Sequence, residues 1–79
     1  MSVITITLRG LAELCLKNLE KEPWFKDLPK FEGEVMDEFL KRLLVGAESF
    51  GVSGKDLEDF RNGKPISLST EQLRLFTNS

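Results

Sequence analysis

Three acidic residues lie close together in one short stretch of the sequence, at Asp56, Glu58 and Asp59. Three carboxylates could hold a hard cation such as Ca²⁺ or Mg²⁺, because these ions prefer oxygen ligands. The stretch lacks the alternating oxygen-ligand spacing of a calcium-binding loop. We therefore interpret these acids as a helix cap and a solvated helix face, and we expect no metal site.

Other groups that usually carry catalysis are scarce. The chain has no histidine, and its one cysteine, Cys15, falls within an apolar helical stripe, so the usual nucleophile and base pairs are missing. Lys64 follows Gly63 without the rest of a phosphate-binding loop. We therefore expect a protein that is not an enzyme and needs no cofactor.

The composition predicts one domain over residues 1 to 79. Its 13 acidic and 11 basic residues give a formal net charge of -2, and no basic block gathers charge for a polyanion. A single cysteine fits a reducing compartment, and the N-terminal apolar run is too short for a signal peptide or a membrane span. We expect a cytoplasmic protein with no membrane partner. Because so small a domain buries only about 60 to 65% of its unfolded surface, a homodimer would add stability.

The first elements are a strand and a helix. Residues 3 to 8 alternate and are rich in β-branched types, which predicts a strand, and the apolar spacing then predicts a helix over about 9 to 21. Gly10 costs this helix up to about 1 kcal/mol relative to alanine. Residues 65 to 68 are extended and could pair with the N-terminal strand.

A wide apolar face predicts the strongest helix over residues 34 to 50, with acid-before-base pairs at Asp37 with Lys41 and Glu38 with Arg42. A last helix is expected over about 70 to 77, because Ser69 and Gln72 have the spacing of a capping box. Its Leu73 and Phe76 should face inward. The fold class is therefore mainly α, a small domain of about four helices with a short N-terminal strand.

Between these helices, residues 22 to 31 form an apolar loop in which two prolines stop a regular helix. Two interpretations remain open. The loop could be a lid whose aromatic side chains fold onto the helices, since large apolar side chains are usually buried. Alternatively, Trp24 and Phe25 could be the anchor that docks a partner protein.

The residues after the long helix predict a tight corner followed by a short helix. Gly51 is placed to take the positive φ that ends a helix, and the side chain of Ser53 can cap the next one. Asp56 completes a capping-box spacing with Ser53, and Val52 and Leu57 are spaced as a hydrophobic staple. Two helices joined this closely must cross at an angle.

This corner resembles the helix-turn-helix of the lambda-repressor-like (Cro and Xre type) DNA-binding family over about residues 43 to 76. The small residue four before the turn glycine is Ala47, and the glycine itself is Gly51. Its apolar neighbours are Phe50 and Val52, and the two apolar residues of the next helix are Leu57 and Phe60. The resemblance implies a dimeric DNA-binding transcriptional regulator. Ser53 and Lys55 would face the bases, and Arg61 and Lys64 would face the phosphates.

The charge of the corner favours a different partner. Residues 47 to 64 contain four acidic and three basic side chains, a net charge of -1, which suits phosphate poorly. The alternative is an acidic protein-interaction module, such as an inhibitor or adaptor. It would bind its partner through the same corner or through Trp24 and Phe25, and the free edge of its N-terminal strand could also add to the partner's sheet.

Overall fold

Four α-helices and a two-stranded sheet make up the computed structural model, which describes residues 2 to 77. In chain order the elements are β1 (Val3–Ile6), α1 (Leu8–Leu19), a 3-10 helix (Pro23–Asp27), α2 (Gly33–Ser49), α3 (Gly54–Arg61), β2 (Ile66–Ser69) and α4 (Thr70–Thr77). The predicted mainly α fold with a short N-terminal strand is confirmed. The observed α2 and α4 lie within one residue of their predicted bounds.

The sheet joins a strand near the start of the chain to a strand that precedes the last helix. β1 and β2 pair antiparallel, with Ile4 opposite Leu68 and Ile6 opposite Ile66. Because residues directly opposite each other share a face, these four side chains form one apolar side, and Ile66 and Leu68 are buried in the core. Val3, on the other face, is 66% exposed. The predicted pairing of residues 65 to 68 with the N-terminal strand is confirmed.

Helix α1 begins one residue earlier than predicted and ends two residues earlier. Thr7 is its N-cap, and its side-chain oxygen accepts a hydrogen bond from the Gly10 N–H at 3.1 Å. A Cβ atom at Gly10 would lie 3.1 Å from Cγ1 of Ile6 and 3.2 Å from Oγ1 of Thr7. Gly10 therefore lets the end of β1 and the cap pack closely against the helix. Beyond its end, Glu22 has extended backbone (φ -85°, ψ 135°), the conformation that Pro23 favours in the residue before it.

The core lies where α1, the corner, α3 and β2 meet. Its fully buried large side chains are Phe60, Leu11 and Leu68. Burial of one such side chain contributes about 1.5 to 3 kcal/mol, so these contacts stabilise the packing of α3 between α1 and the sheet. Around them lie the other buried apolar residues, Leu8, Ala12, Cys15, Leu43, Ala47, Val52 and Ile66.

The corner after α2 is a Schellman motif. The Val52 N–H donates to the Ala47 carbonyl at 2.9 Å, and the Gly51 N–H donates to the Glu48 carbonyl at 3.3 Å. Gly51 has φ of 101°, a conformation that a side chain strongly disfavours. The end of α3 repeats this pattern around Gly63. The predicted corner and its glycine are confirmed.

One predicted cap is wrong and the other is confirmed. Ser53 is the N-cap residue of α3, but its side chain makes no capping hydrogen bond, so the box with Asp56 does not form. The reason is Gly54, whose φ of 61° takes the backbone away from the regular first turn that a capping oxygen needs. At α4 the box is complete: Gln72 N–H donates to Ser69 Oγ at 3.1 Å, and Ser69 N–H donates to Gln72 Oε1 at 3.0 Å.

The ion pair observed along α2 also differs from the two pairs that the sequence predicted. Instead of the two predicted pairs, Lys41 contacts Glu38 at 3.5 Å, and both side chains are more than two-thirds exposed. Residues three and four apart are equally close on a helix, so the sequence alone does not decide between these partners. Such a solvated pair contributes about 0 to 1 kcal/mol.

Candidate functional site

A groove of about 480 Å³ lies between α1, α2 and α4. Each of the three helices contributes apolar side chains to it, and the 3-10 helix contributes Trp24. The principal apolar residues of the groove are Leu19, Trp24, Phe39, Leu43, Leu75 and Phe76. The groove is therefore a mainly apolar concavity built from elements far apart in the sequence.

Gly46 and two aromatic rings shape the groove where α2 meets α4. The rings of Phe50 and Phe76 meet edge to face with centroids 4.9 Å apart. A Cβ atom at Gly46 would lie 3.3 Å from Cε1 of Phe76, closer than ordinary van der Waals contact. The absence of a side chain at Gly46 therefore lets α4 place its aromatic ring against α2.

The two aromatic residues predicted as a docking anchor have different environments. The Phe25 ring stacks on Phe31 with centroids 6.1 Å apart, and Phe31 meets Phe39 of α2 edge to face at 5.1 Å. Phe25 thus belongs to a lid that folds onto α2, as one of the two interpretations expects. Trp24 is 49% exposed and lines the groove. Of the pair, Trp24 is the side chain left accessible to a partner.

The charged side chains of the groove are mainly basic. Lys21 and Arg42 line it together with a single acid, Glu22. None of the three forms an ion pair within residues 2 to 77, where Glu38 pairs with Lys41. The groove lining therefore carries a net charge of +1 on a chain whose formal net charge is -2.

Cys15 also lines the groove but is poorly suited to nucleophilic chemistry. Its side chain is buried, and its Sγ lies 3.8 Å from the carbonyl oxygen of Phe76. Burial raises the pKa of the Cys15 thiol, which keeps the sulfur protonated at physiological pH. A neutral thiol is a weak nucleophile. Cys15 therefore acts as a small apolar residue that packs from α1 against α4.

The corner presents the side chains that were predicted to contact DNA. Ser53, Lys55, Arg61 and Lys64 are all exposed. The acids Asp56 and Glu58 are exposed on the same short helix, and Asp59 is half-buried. Glu58 follows Lys55 by three residues and precedes Arg61 by three, so it lies beside both cations on the helix surface. The outer face of α3 therefore mixes charges of both signs.

Sequence reasoning missed a further basic residue near the corner. Arg9, at the start of α1, and Arg61, at the end of α3, line the same hollow of about 280 Å³ together with Asn62. Arg9 and Arg61 are far apart in the sequence, so no local pattern could bring them together. Leu75 was missed as well, because it lies off the apolar stripe that Leu73 and Phe76 form on α4.

Over the described part of the chain, no group of three or more acidic or cysteine side chains is arranged to hold a metal ion. Nor does any helix within residues 2 to 77 have the length and apolar character needed to cross a membrane. Comparison of the chain with protein-family models, with curated proteins and with solved structures finds no match.

Proposed function

We propose that this protein is a non-catalytic protein-interaction module, an adaptor or inhibitor, and that its groove between α1, α2 and α4 binds a segment of a partner protein. The observation that carries this proposal is the exposure of two large apolar side chains at the groove, Trp24 at 49% and Leu75 at 51%. Exposed apolar surface beside a concavity is typical of binding sites, and tryptophan often dominates binding energy.

The chemistry of the groove favours an amphipathic helix that carries acidic residues. Apolar side chains of such a helix, spaced at i, i+3 or i+4 and i+7, can fill a groove between helices. Lys21 and Arg42 would face carboxylates on its flanks, since neither cation has an ion-pair partner among residues 2 to 77. We therefore expect the partner segment to combine large apolar residues with Asp or Glu.

A displayed library of random helical peptides tests this proposal. Selection on the full chain should enrich peptides with helical apolar spacing and acidic flanks. The dissociation constant of an enriched peptide, titrated by Trp24 fluorescence or by calorimetry, should rise at least about tenfold in Trp24→Ala and in Leu75→Ala. Calorimetry serves for the variant that lacks the tryptophan.

Val45→Ala is the matched control for these variants. Val45 is 65% exposed on α2 but does not line the groove, so its truncation removes exposed apolar surface at a different place. We expect it to leave peptide affinity unchanged. Failure to enrich peptides, or binding that is indifferent to Trp24→Ala and Leu75→Ala, would count against the proposal.

DNA is the second candidate partner, and the observation in its favour is the set of exposed cations around the corner. Lys55 and Arg61 are exposed on α3, which resembles a recognition helix, Lys64 is exposed just after its end, and Arg9 shares a hollow with Arg61. None of the four is in an ion pair among residues 2 to 77. Such cations can contact phosphates.

A duplex titration at several salt concentrations separates the two candidates. DNA binding should weaken as salt rises, because neutralised phosphates release counterions. Lys55→Ala and Arg61→Ala should weaken it further, whereas Lys26→Ala, which removes the same charge from the 3-10 helix, should not. Glu58→Gln should strengthen it by removing the acid beside Lys55. Absent or salt-independent binding would eliminate DNA as the partner.

A further inference from the structure

Within residues 2 to 77, the outer edge of β1 is open. β1 pairs there with β2 only, and Val3 and Thr5 on β1 are exposed. The segment from Ser2 to Thr7 contains no proline and no charged residue, the usual features that keep a strand edge from pairing.

The register of the sheet identifies which backbone groups the open edge presents. The Thr70 N–H donates to the Ser2 carbonyl, which extends the ladder and marks Ser2 as a hydrogen-bonded position. Hydrogen-bonded and non-bonded positions alternate in an antiparallel pair, so Ile4 and Ile6 also direct their backbone groups toward β2. Val3 and Thr5 therefore direct their N–H and C=O groups toward the open edge.

We propose that a second copy of this chain pairs with that edge, β1 against β1, to form a homodimer with a continuous four-stranded antiparallel sheet. In the register that we infer, the two-fold axis passes between the two Ile4 residues, and Val3 of each copy lies opposite Thr5 of the other. The N–H and C=O groups of Val3 and Thr5 in both copies then all find partners, in four hydrogen bonds.

The side chains agree with this register. Ile4 of one copy lies next to Ile4 of the other on the face that packs against the helices, which continues the apolar side of the sheet across the axis. A register centred on Thr5 would instead place Val3 opposite Thr7. The carbonyl of Thr7 already accepts the Leu11 N–H, so in that register the two Val3 N–H groups would have to share an acceptor that is already in use.

This inference is independent of the proposed groove function, because no residue of β1 lines the groove. A dimer would carry two grooves, so a partner with two suitable segments would bind with increased avidity. The test is the mass of the full chain in solution, measured by sedimentation or light scattering across concentration. We expect twice the 9.0 kDa chain mass, with dissociation on dilution.

Thr5→Pro tests the edge without disturbing the β1 and β2 ladder. The Thr5 N–H points to the open edge, so proline removes a donor only from the dimer, once in each copy. Loss of two of the four bonds should raise the dimer dissociation constant at least about tenfold. Ser67→Pro is the matched control, because Ser67 has the equivalent position on the far edge of β2, and it should leave the dimer intact.

Cysteine cross-linking tests the register in a Cys15→Ser background. Ile4→Cys places two thiols directly opposite each other and should form an intermolecular disulfide, whereas Thr5→Cys places them diagonally and should not. Circular dichroism checks that each variant is folded. A monomer at all concentrations, a dimer that survives Thr5→Pro, or cross-linking at Thr5→Cys but not at Ile4→Cys would overturn the proposal.

Discussion

The side-chain amide of Gln72 donates a hydrogen bond from Nε2 to the backbone carbonyl of Phe50 over 3.2 Å. This bond connects the first turn of α4 to the C-cap residue of α2, across the sheet strand and the whole of α3. The same side chain completes the capping box with Ser69 through its Oε1. Gln72 thus fixes both where α4 begins and how it lies against the corner, which determines where Leu75 and Phe76 meet the groove.

Replacement of Gln72 by Glu should separate these two roles. The carboxylate keeps an oxygen for the Ser69 N–H but loses the N–H that Phe50 needs, and it places a negative charge against a carbonyl oxygen. We expect the free energy of unfolding to fall by about 1 to 3 kcal/mol, measured by urea denaturation. Glu71→Gln, at the exposed neighbouring position, should change it by less than about 0.5 kcal/mol. Equal stability of Gln72→Glu and the wild type would contradict this role.

Gly51→Ala should destabilise the corner without any loss of contacts. At φ of 101° a methyl group strains the backbone, because the Schellman motif fixes this conformation through the bonds of Gly51 and Val52. We expect the free energy of unfolding to fall by about 1 to 2 kcal/mol. Glu48→Ala, an exposed change in the same turn, is the control and should have little effect. An alanine tolerated at Gly51 would mean that the corner can rearrange.

The local features of this fold could be predicted because short stretches of sequence determine them. The turn at Gly51 and the box of Ser69 with Gln72 depend only on residues within one helical turn. The failure at Ser53 has an equally local cause, the left-handed backbone of the following Gly54. A capping motif therefore needs both the right side chain and a regular first turn after it.

The groove could not be predicted because it depends on how distant elements pack. Trp24 and Phe25 are neighbours in one loop, yet Phe25 joins the Phe31 and Phe39 cluster while Trp24 stays exposed. Arg42 was expected to pair along α2 and instead lines the groove. Periodicity assigns a residue to a face of its helix, but which other element covers that face is determined by tertiary packing.

The buried thiol of Cys15 should make the stability depend on pH in alkaline solution. Burial raises the thiol pKa in the folded chain above the ordinary value of 9.0. Below pH 9.0 both states hold the proton and the stability is fully present. As the pH rises toward the folded pKa, the unfolded chain loses this proton while the folded chain keeps it, so the free energy of unfolding falls.

Denaturation curves of the wild type and Cys15→Ser across the alkaline range would measure this effect. Both chains contain the same lysines, so the difference between their pH profiles isolates the thiol. We expect the wild type to lose stability more steeply above pH 9.0 than the variant does. Parallel profiles would mean that Cys15 ionises as easily in the folded chain as in the unfolded one.

Charge reversal at Arg42 should distinguish an acidic partner segment from a purely apolar one. Arg42 is exposed and lines the groove, so Arg42→Glu should change the free energy of unfolding by less than about 0.5 kcal/mol. The same change should weaken binding of a selected acidic peptide about five- to tenfold at low salt, with a smaller effect at high salt. Lys41→Glu is the matched control, since Lys41 is the adjacent cation, is exposed and does not line the groove. If both reversals weaken binding equally, the effect reflects the overall charge of the chain, and the groove has no acidic partner.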